Sequence, residues 1–278
     1  MELHLSNKNL TEIPNNLPYT LNFLWISNNH ITEINNLPDS LKKLWISENQ
    51  IREINNLPES LIEFYINNNL ITEINNLPES LIELIIGNNQ ITEINNLPDS
   101  LRTLYINNNQ ITEINNLPHT LQYLYISYNQ ITEIKNLPDS LKILNIYNNQ
   151  ITEINNLPKS LEYLYISGNE IREIKNLPRT LQTLWINNNP IEYINPVLYK
   201  HKLHNKLCDL INTTPDRLKL CYLYKIAYLI PKLQRWWRKK NIQLKSKYKL
   251  DINTEIKYKP NFGIEYYNGL KEIKYLLK

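Results

Sequence analysis

One pattern of apolar and polar positions runs through most of the chain. It reads L-x-x-L-x-I-x-x-N-x-I-x-x-I-x-N-L-P-x-[ST]. Nine gapless blocks with a period of 20 residues start at Leu21, Leu41, Leu61, Leu81, Leu101, Leu121, Leu141, Leu161 and Leu181. A partial unit, Leu3 to Thr20, precedes them. Within a block, alternation with period two from Leu24 predicts a short strand, with Leu24 and Ile26 pointing inward. Ile31, Ile34 and Leu37 are expected to return to the same core along the opposite side of the coil. Pro38 interrupts that return path, which is also too short for a good helix. Extended or polyproline-like segments with turns are therefore expected there. One coil cannot bury its apolar face alone, whereas nine stacked coils bury a continuous one.

These residues resemble the leucine-rich repeat, whose repeats run from 20 residues upward. The closing N-L-P-x-S-L is similar to the short repeats of secreted bacterial effectors. The Asn-rich version resembles leucine-rich repeat proteins of giant DNA viruses such as mimivirus. The resemblance covers residues 1–195. It implies a right-handed solenoid with a curved parallel β-sheet on the concave side and extended or turn segments on the convex side. A viral source would imply the host cytoplasm as location and a host or viral protein as partner.

The repeats can be compared with one another column by column. An Asn column is invariant from Asn29 through Asn189. A buried amide both donates and accepts, so this column is expected to satisfy the backbone groups left by the turn after each strand and to pair with the next coil. A Glu column runs from Glu33 to Glu173. Adjacent coils lie ~4.8 Å apart, so its like charges repel unless flanking Thr, Arg or Lys residues help. It reads as a solvated edge or as an acidic strip that attracts basic partners.

Three columns are expected on the concave face, and these vary. The first contains Trp25, Trp45, Tyr65, Tyr105, Tyr125, Tyr165 and Trp185, so seven of nine positions are aromatic; Ile85 and Asn145 complete it. The second includes Phe23, Tyr123 and Tyr163, and the third is small and polar apart from Tyr147. Tyr and Trp supply large contact area with few rotors, as binding hot spots require. Aromatics also stack well on neighbouring strands. Both protein binding and sheet stabilisation remain open on this pattern.

Charge divides the chain. Residues 1–195 hold 11 Lys/Arg against 21 Asp/Glu, and residues 196–278 hold 19 against 6. Two domains are expected: the solenoid over 1–195, and a small, basic, mainly helical domain over 196–278 that caps its open end. Thr214 and Pro215 form a helix start signal. Arg235, Trp236, Trp237, Arg238, Lys239 and Lys240 form a basic patch with interleaved aromatics. It suits nucleic acid, an anionic surface or a calmodulin-like partner. Binding of the acidic solenoid to a basic tail would give self-association. His201, His204, Cys208 and Cys221 have the right chemistry for zinc, but their spacing is not that of a standard finger. No metal or cofactor is therefore assigned.

Composition removes several classes. Two Cys cannot build a disulfide scaffold. Met1-Glu2-Leu3-His4-Leu5 lacks the features of a signal peptide. The apolar stretch Leu220 to Ile230 is about half of the ~20 residues that a membrane span requires. A soluble, intracellular protein is expected. The scarcity of Gly and Ala and the abundance of Asn, Ile, Lys and Tyr read as an A/T-rich coding bias. No Gly-rich phosphate loop, H-E-x-x-H motif or nucleophile elbow is present, so no enzyme is expected.

Overall fold

The computed structural model describes residues 1–194. Among them are twelve short strands and no helix: β1 Glu2–His4, β2 Phe23–Trp25, β3 Lys43–Trp45, β4 Glu63–Tyr65, β5 Glu83–Ile85, β6 Thr103–Tyr105, β7 Tyr123–Tyr125, β8 Ile143–Asn145, β9 Tyr163–Tyr165, β10 Glu173–Ile174, β11 Thr183–Trp185 and β12 Tyr193–Ile194. Ten of them form one parallel sheet in the order β1 to β9, then β11; β10 and β12 pair separately on the return side. Register is constant. Leu24 lies opposite Leu44, and Trp25 lies opposite Trp45. Each residue therefore sits beside its counterpart one repeat away, the arrangement of a parallel β-solenoid of about nine coils.

Each coil closes by the same local chemistry. A turn carries the Leu41 N–H onto the Pro38 carbonyl at 3.0 Å, and later coils repeat it. The Ser or Thr before each block's first Leu then donates to the previous coil: Ser60 Oγ reaches the Leu41 carbonyl at 2.6 Å. Leu21, Leu24, Ile26 and Ile31 and their counterparts form the core, with Phe64 in one Leu column. The expectation for Leu37 needs correction. Leu37, Leu57, Leu77 and Leu97 are only half-buried, whereas Leu117 and Leu177 in the same column are buried; Pro58, Pro78 and Pro98 are buried beside their half-buried leucines.

The Asn column does what its amide chemistry predicts. Asn49 Oδ1 accepts from the Ile31 N–H of the previous coil at 3.0 Å. Its Nδ2 donates to the Ile26 carbonyl of that coil and to the Ile46 carbonyl of its own. Asn109 repeats the pattern with Ile91, Ile86 and Ile106. Two further columns adopt the left-handed backbone. One runs Asn28, Glu48, Asn68, Asn88, Asn108, Tyr128, Asn148, Gly168 and Asn188; the other includes Asn36, Asn56, Asn76 and Asn96. Asn tolerates this conformation better than most side chains. The high Asn content thus has structural uses beyond any coding bias.

The helical cap expected over 196–278, the basic patch Arg235–Lys240 and the His201/Cys208 set lie outside the described residues.

Candidate functional site

The outer face of the ten-stranded sheet carries the three variable columns. β-strand alternation sends Leu24 into the core and turns Phe23 and Trp25 away from it, and each later strand does the same. All the proposed aromatic residues with described side chains fall on this face or just past the strand ends. Register brings Trp25, Trp45 and Tyr65 side by side, as it does Tyr105 with Tyr125 and Tyr165 with Trp185. Tyr123 and Tyr163 flank Ile143 in the second column.

The rings use part of their area on each other. Phe23 stacks on Trp25 at 3.4 Å, and His4 stacks on Trp25 at 3.8 Å. Trp45 meets Phe23 and Trp25 edge-on and stacks on Tyr65 at 4.8 Å. The Trp45 indole N–H is buried without a hydrogen-bond acceptor. Tyr105 and Tyr125 stack at 4.0 Å with planes 2° apart. Most of the stripe is therefore half-buried, and Trp185 is the member that stands clear, at 56% exposure. In-register strands bring neighbouring rings close to van der Waals separation, so stacking is built into the repeat.

Polar contacts punctuate the stripe. The Tyr65 hydroxyl donates to Glu83 Oε1 at 2.7 Å, and Lys43 bridges Glu63 at 2.8 Å. Burial first, and then the hydrogen bond to Glu83, raise the Tyr65 phenol above its ordinary range. Tyr125 is pushed up to about 12 by burial and by a hydrogen bond with Tyr105. Ile85 and Asn145 interrupt the aromatic column.

Near Asn145 the face opens into a hollow of about 550 Å³. Tyr147, Tyr165 and Trp185 line it, together with Tyr128 and Asn145, which the aromatic columns alone do not single out. Comparison of columns could have found both. Tyr128 is the one aromatic in the first left-handed column, and Asn145 the one polar residue in its column.

The Glu column lies elsewhere and, from Glu53 to Glu173, is individually compensated. Asn55, Asn75, Asn95, Asn115 and Asn155 each donate Nδ2 to the Glu two residues before. Where that position is Lys135 or Lys175, an ion pair to Glu133 or Glu173 replaces it. The helper is thus the residue two positions on, not the flanking Thr or Arg. Among the described residues, no group of three or more His, Cys, Asp or Glu could hold a metal ion. Nor is any helix there long and apolar enough to cross a membrane.

Two families match the chain. The FNIP Repeat matches residues 89–128 and 128–169, and Leucine Rich repeats (2 copies) matches residues 159–200. No curated protein matches by sequence. Among solved structures, the chain is similar to YopM from Yersinia enterocolitica WA-314. The identity is 33% and the TM-score 0.62, over 69% of this chain and 46% of that one. It is also similar to YopM, a leucine-rich effector protein from Yersinia pestis, at 27% identity and TM-score 0.50, over 70% of each chain. InlJ from Listeria monocytogenes shares the fold at 21% identity and TM-score 0.51, over 68% of this chain and 54% of that one. The chain thus spans 46% of the length of the first YopM.

Proposed function

We propose that this leucine-rich repeat protein is a non-enzymatic interaction module that binds a protein or peptide across the outer, concave face of its sheet. The observation that carries this reading is the contrast between columns. Core Leu and Ile positions, with Phe64 the one exception, and the Asn ladder stay constant from coil to coil, while the outer-face residues change from Trp to Tyr to Ile to Asn. Stacked rings form a preorganised surface, so little side-chain freedom is lost when a partner arrives. Aromatic anchors of this kind contribute about 2 kcal/mol or more each at binding hot spots. If the resemblance to giant-virus repeat proteins holds, the partner is a host or viral protein met in the host cytoplasm.

The test is affinity capture from nuclease-treated host lysate, comparing the full chain with the variant Trp45→Ala, Tyr65→Ala, Tyr105→Ala, Tyr125→Ala. A protein retained by the parent and lost by the folded variant is the expected result. Identical captures would reduce the stripe to sheet packing. The basic balance of residues 196–278 supports a second reading, in which the Arg235–Lys240 patch binds nucleic acid or an anionic surface. That binding would survive the aromatic substitutions and be abolished when Arg235, Arg238, Lys239 and Lys240 are neutralised.

A further inference from the structure

Near-identical coils make every departure from the repeat informative. Three columns each carry an outlier within coils 121–140 and 141–160. Tyr128 replaces the Asn or Gly usual in the left-handed column, and holds φ at 55°. Asn145 replaces an aromatic or aliphatic residue. Tyr147 is the one large side chain in a column of Ser, Asn and Gly. All three line the same hollow of about 550 Å³, with Tyr165 and Trp185. Tyr128 is 50% exposed and meets Tyr147 edge-on at 5.3 Å. A bulky side chain in the left-handed conformation costs stability, so a strained, exposed ring at the rim of a hollow points to a use beyond folding.

The chemistry of the hollow is specific. None of its lining residues is charged, although the solenoid as a whole is acidic. Two of its three amides, Asn107 and Asn145, have their oxygens engaged. Asn145 Oδ1 already accepts from Ser127 Oγ at 2.8 Å and from the Tyr147 N–H at 3.4 Å. Asn107 Oδ1 accepts from the Ser127 N–H at 2.7 Å. For a ligand there remain the Nδ2 of Asn107 and Asn145, the indole N–H of Trp185 and the hydroxyls of Tyr128, Tyr147 and Tyr165, each able to donate, set in aromatic walls. A proline-rich segment offers carbonyl acceptors, no backbone N–H and flat apolar rings, in a helix that is already ordered before binding.

We propose that this hollow binds an uncharged, proline-rich segment of the partner protein. The proposal rests on the reading of the outer face as a protein-binding surface and names the chemistry of one subsite on it.

The probe is a fluorescently labelled decaproline peptide, titrated against the full chain by anisotropy. A Gly/Ser peptide of equal length and maltohexaose serve as comparators. The informative variant returns the three outliers to the residues usual in their columns: Tyr128→Asn, Asn145→Tyr and Tyr147→Ser. Because these residues recur in other coils, the variant is expected to fold with an unchanged or raised Tm. Saturable decaproline binding is expected, weakened about tenfold or more in this variant, with neither comparator competing. The four-site alanine variant leaves the hollow intact and should still bind decaproline. The proposal is overturned by an absence of saturable decaproline binding, by equal binding to the reverted variant, or by displacement of the peptide by maltohexaose. If decaproline fails while protein capture still depends on Trp45, Tyr65, Tyr105 and Tyr125, the subsite assignment falls and the binding face stands.

Discussion

Asparagine does three different jobs within the coil 101–120. At Asn109 the side chain is buried and hydrogen-bonded to two coils. At Asn108 and Asn116 the backbone is left-handed. At Asn115 the amide donates to Glu113. Replacing Asn109 with Leu would orphan the buried Ile91 N–H, at a cost of roughly 1–3 kcal/mol for that group alone. Urea unfolding should show this as a lowered midpoint with unchanged slope; a midpoint equal to that of the parent would remove the ladder from the account of stability. Tyr128 gives the opposite sign. Tyr128→Asn relieves left-handed strain of about 1 kcal/mol, less the edge contact with Tyr147, so Tm should hold or rise. A clear fall in Tm would mean that the ring is there for packing. The buried Asn ladder was legible in the sequence, because a polar column that never varies beside columns that stay apolar points to amides serving buried backbone groups. The left-handed columns were not, since a run such as Asn107-Asn108-Asn109 hides which residue takes the special backbone angle. Only the non-Asn members, Glu48, Tyr128 and Gly168, mark the column, and two of those are poor choices for it.

At the scale of the element, each strand of the ten-stranded sheet is three residues long and could not persist alone. Parallel pairing in constant register places like on like: leucine on leucine inside, ring on ring outside. The period-two pattern of Leu24-Trp25-Ile26 made the strand and its inward face readable. It did not reveal that Leu37 stays half-buried while Leu117 and Leu177, in the same column, are buried. Stacking also shifts the chemistry of the stripe. Tyr125 titrates near 12 in place of its ordinary 10.0, so the folded chain favours the protonated phenol. Its stabilising contribution is therefore in place below pH 10 and is lost as pH rises from there through 12. Tyr65 shifts in the same direction. Tyrosinate absorbance should show a late-titrating fraction that disappears on unfolding, and the urea midpoint should fall above pH 10. Titration of every tyrosine together in the folded chain would contradict the burial of these two hydroxyls.

For the solenoid as a whole, stability is close to a sum of coils and the interfaces between them. Deletion of residues 81–100 joins Ser80 to Leu101 and restores the motif across the cut. The shortened full chain should keep its β-sheet circular dichroism and unfold cooperatively at a lower temperature. Loss of the fold would mean that the coils are not interchangeable units. The repeat architecture was open to reading because it is written nine times over. The hollow near Asn145 was not, because it depends on three outliers meeting across two coils. The central claim, that the outer aromatic face binds a protein, differs from binding by the basic segment in its response to salt. Phosphate-type binding through six to ten contacts weakens by about 10³ to 10⁵ between roughly 50 and 200 mM salt. Contact through rings is largely insensitive to it. The most direct measurement is therefore the Kd of the captured partner across that range, by titration calorimetry with the full chain. A change of less than about threefold, with a negative heat-capacity change from apolar burial, is the result this account predicts. A Kd that weakens by orders of magnitude would contradict it and assign the interaction to the basic segment.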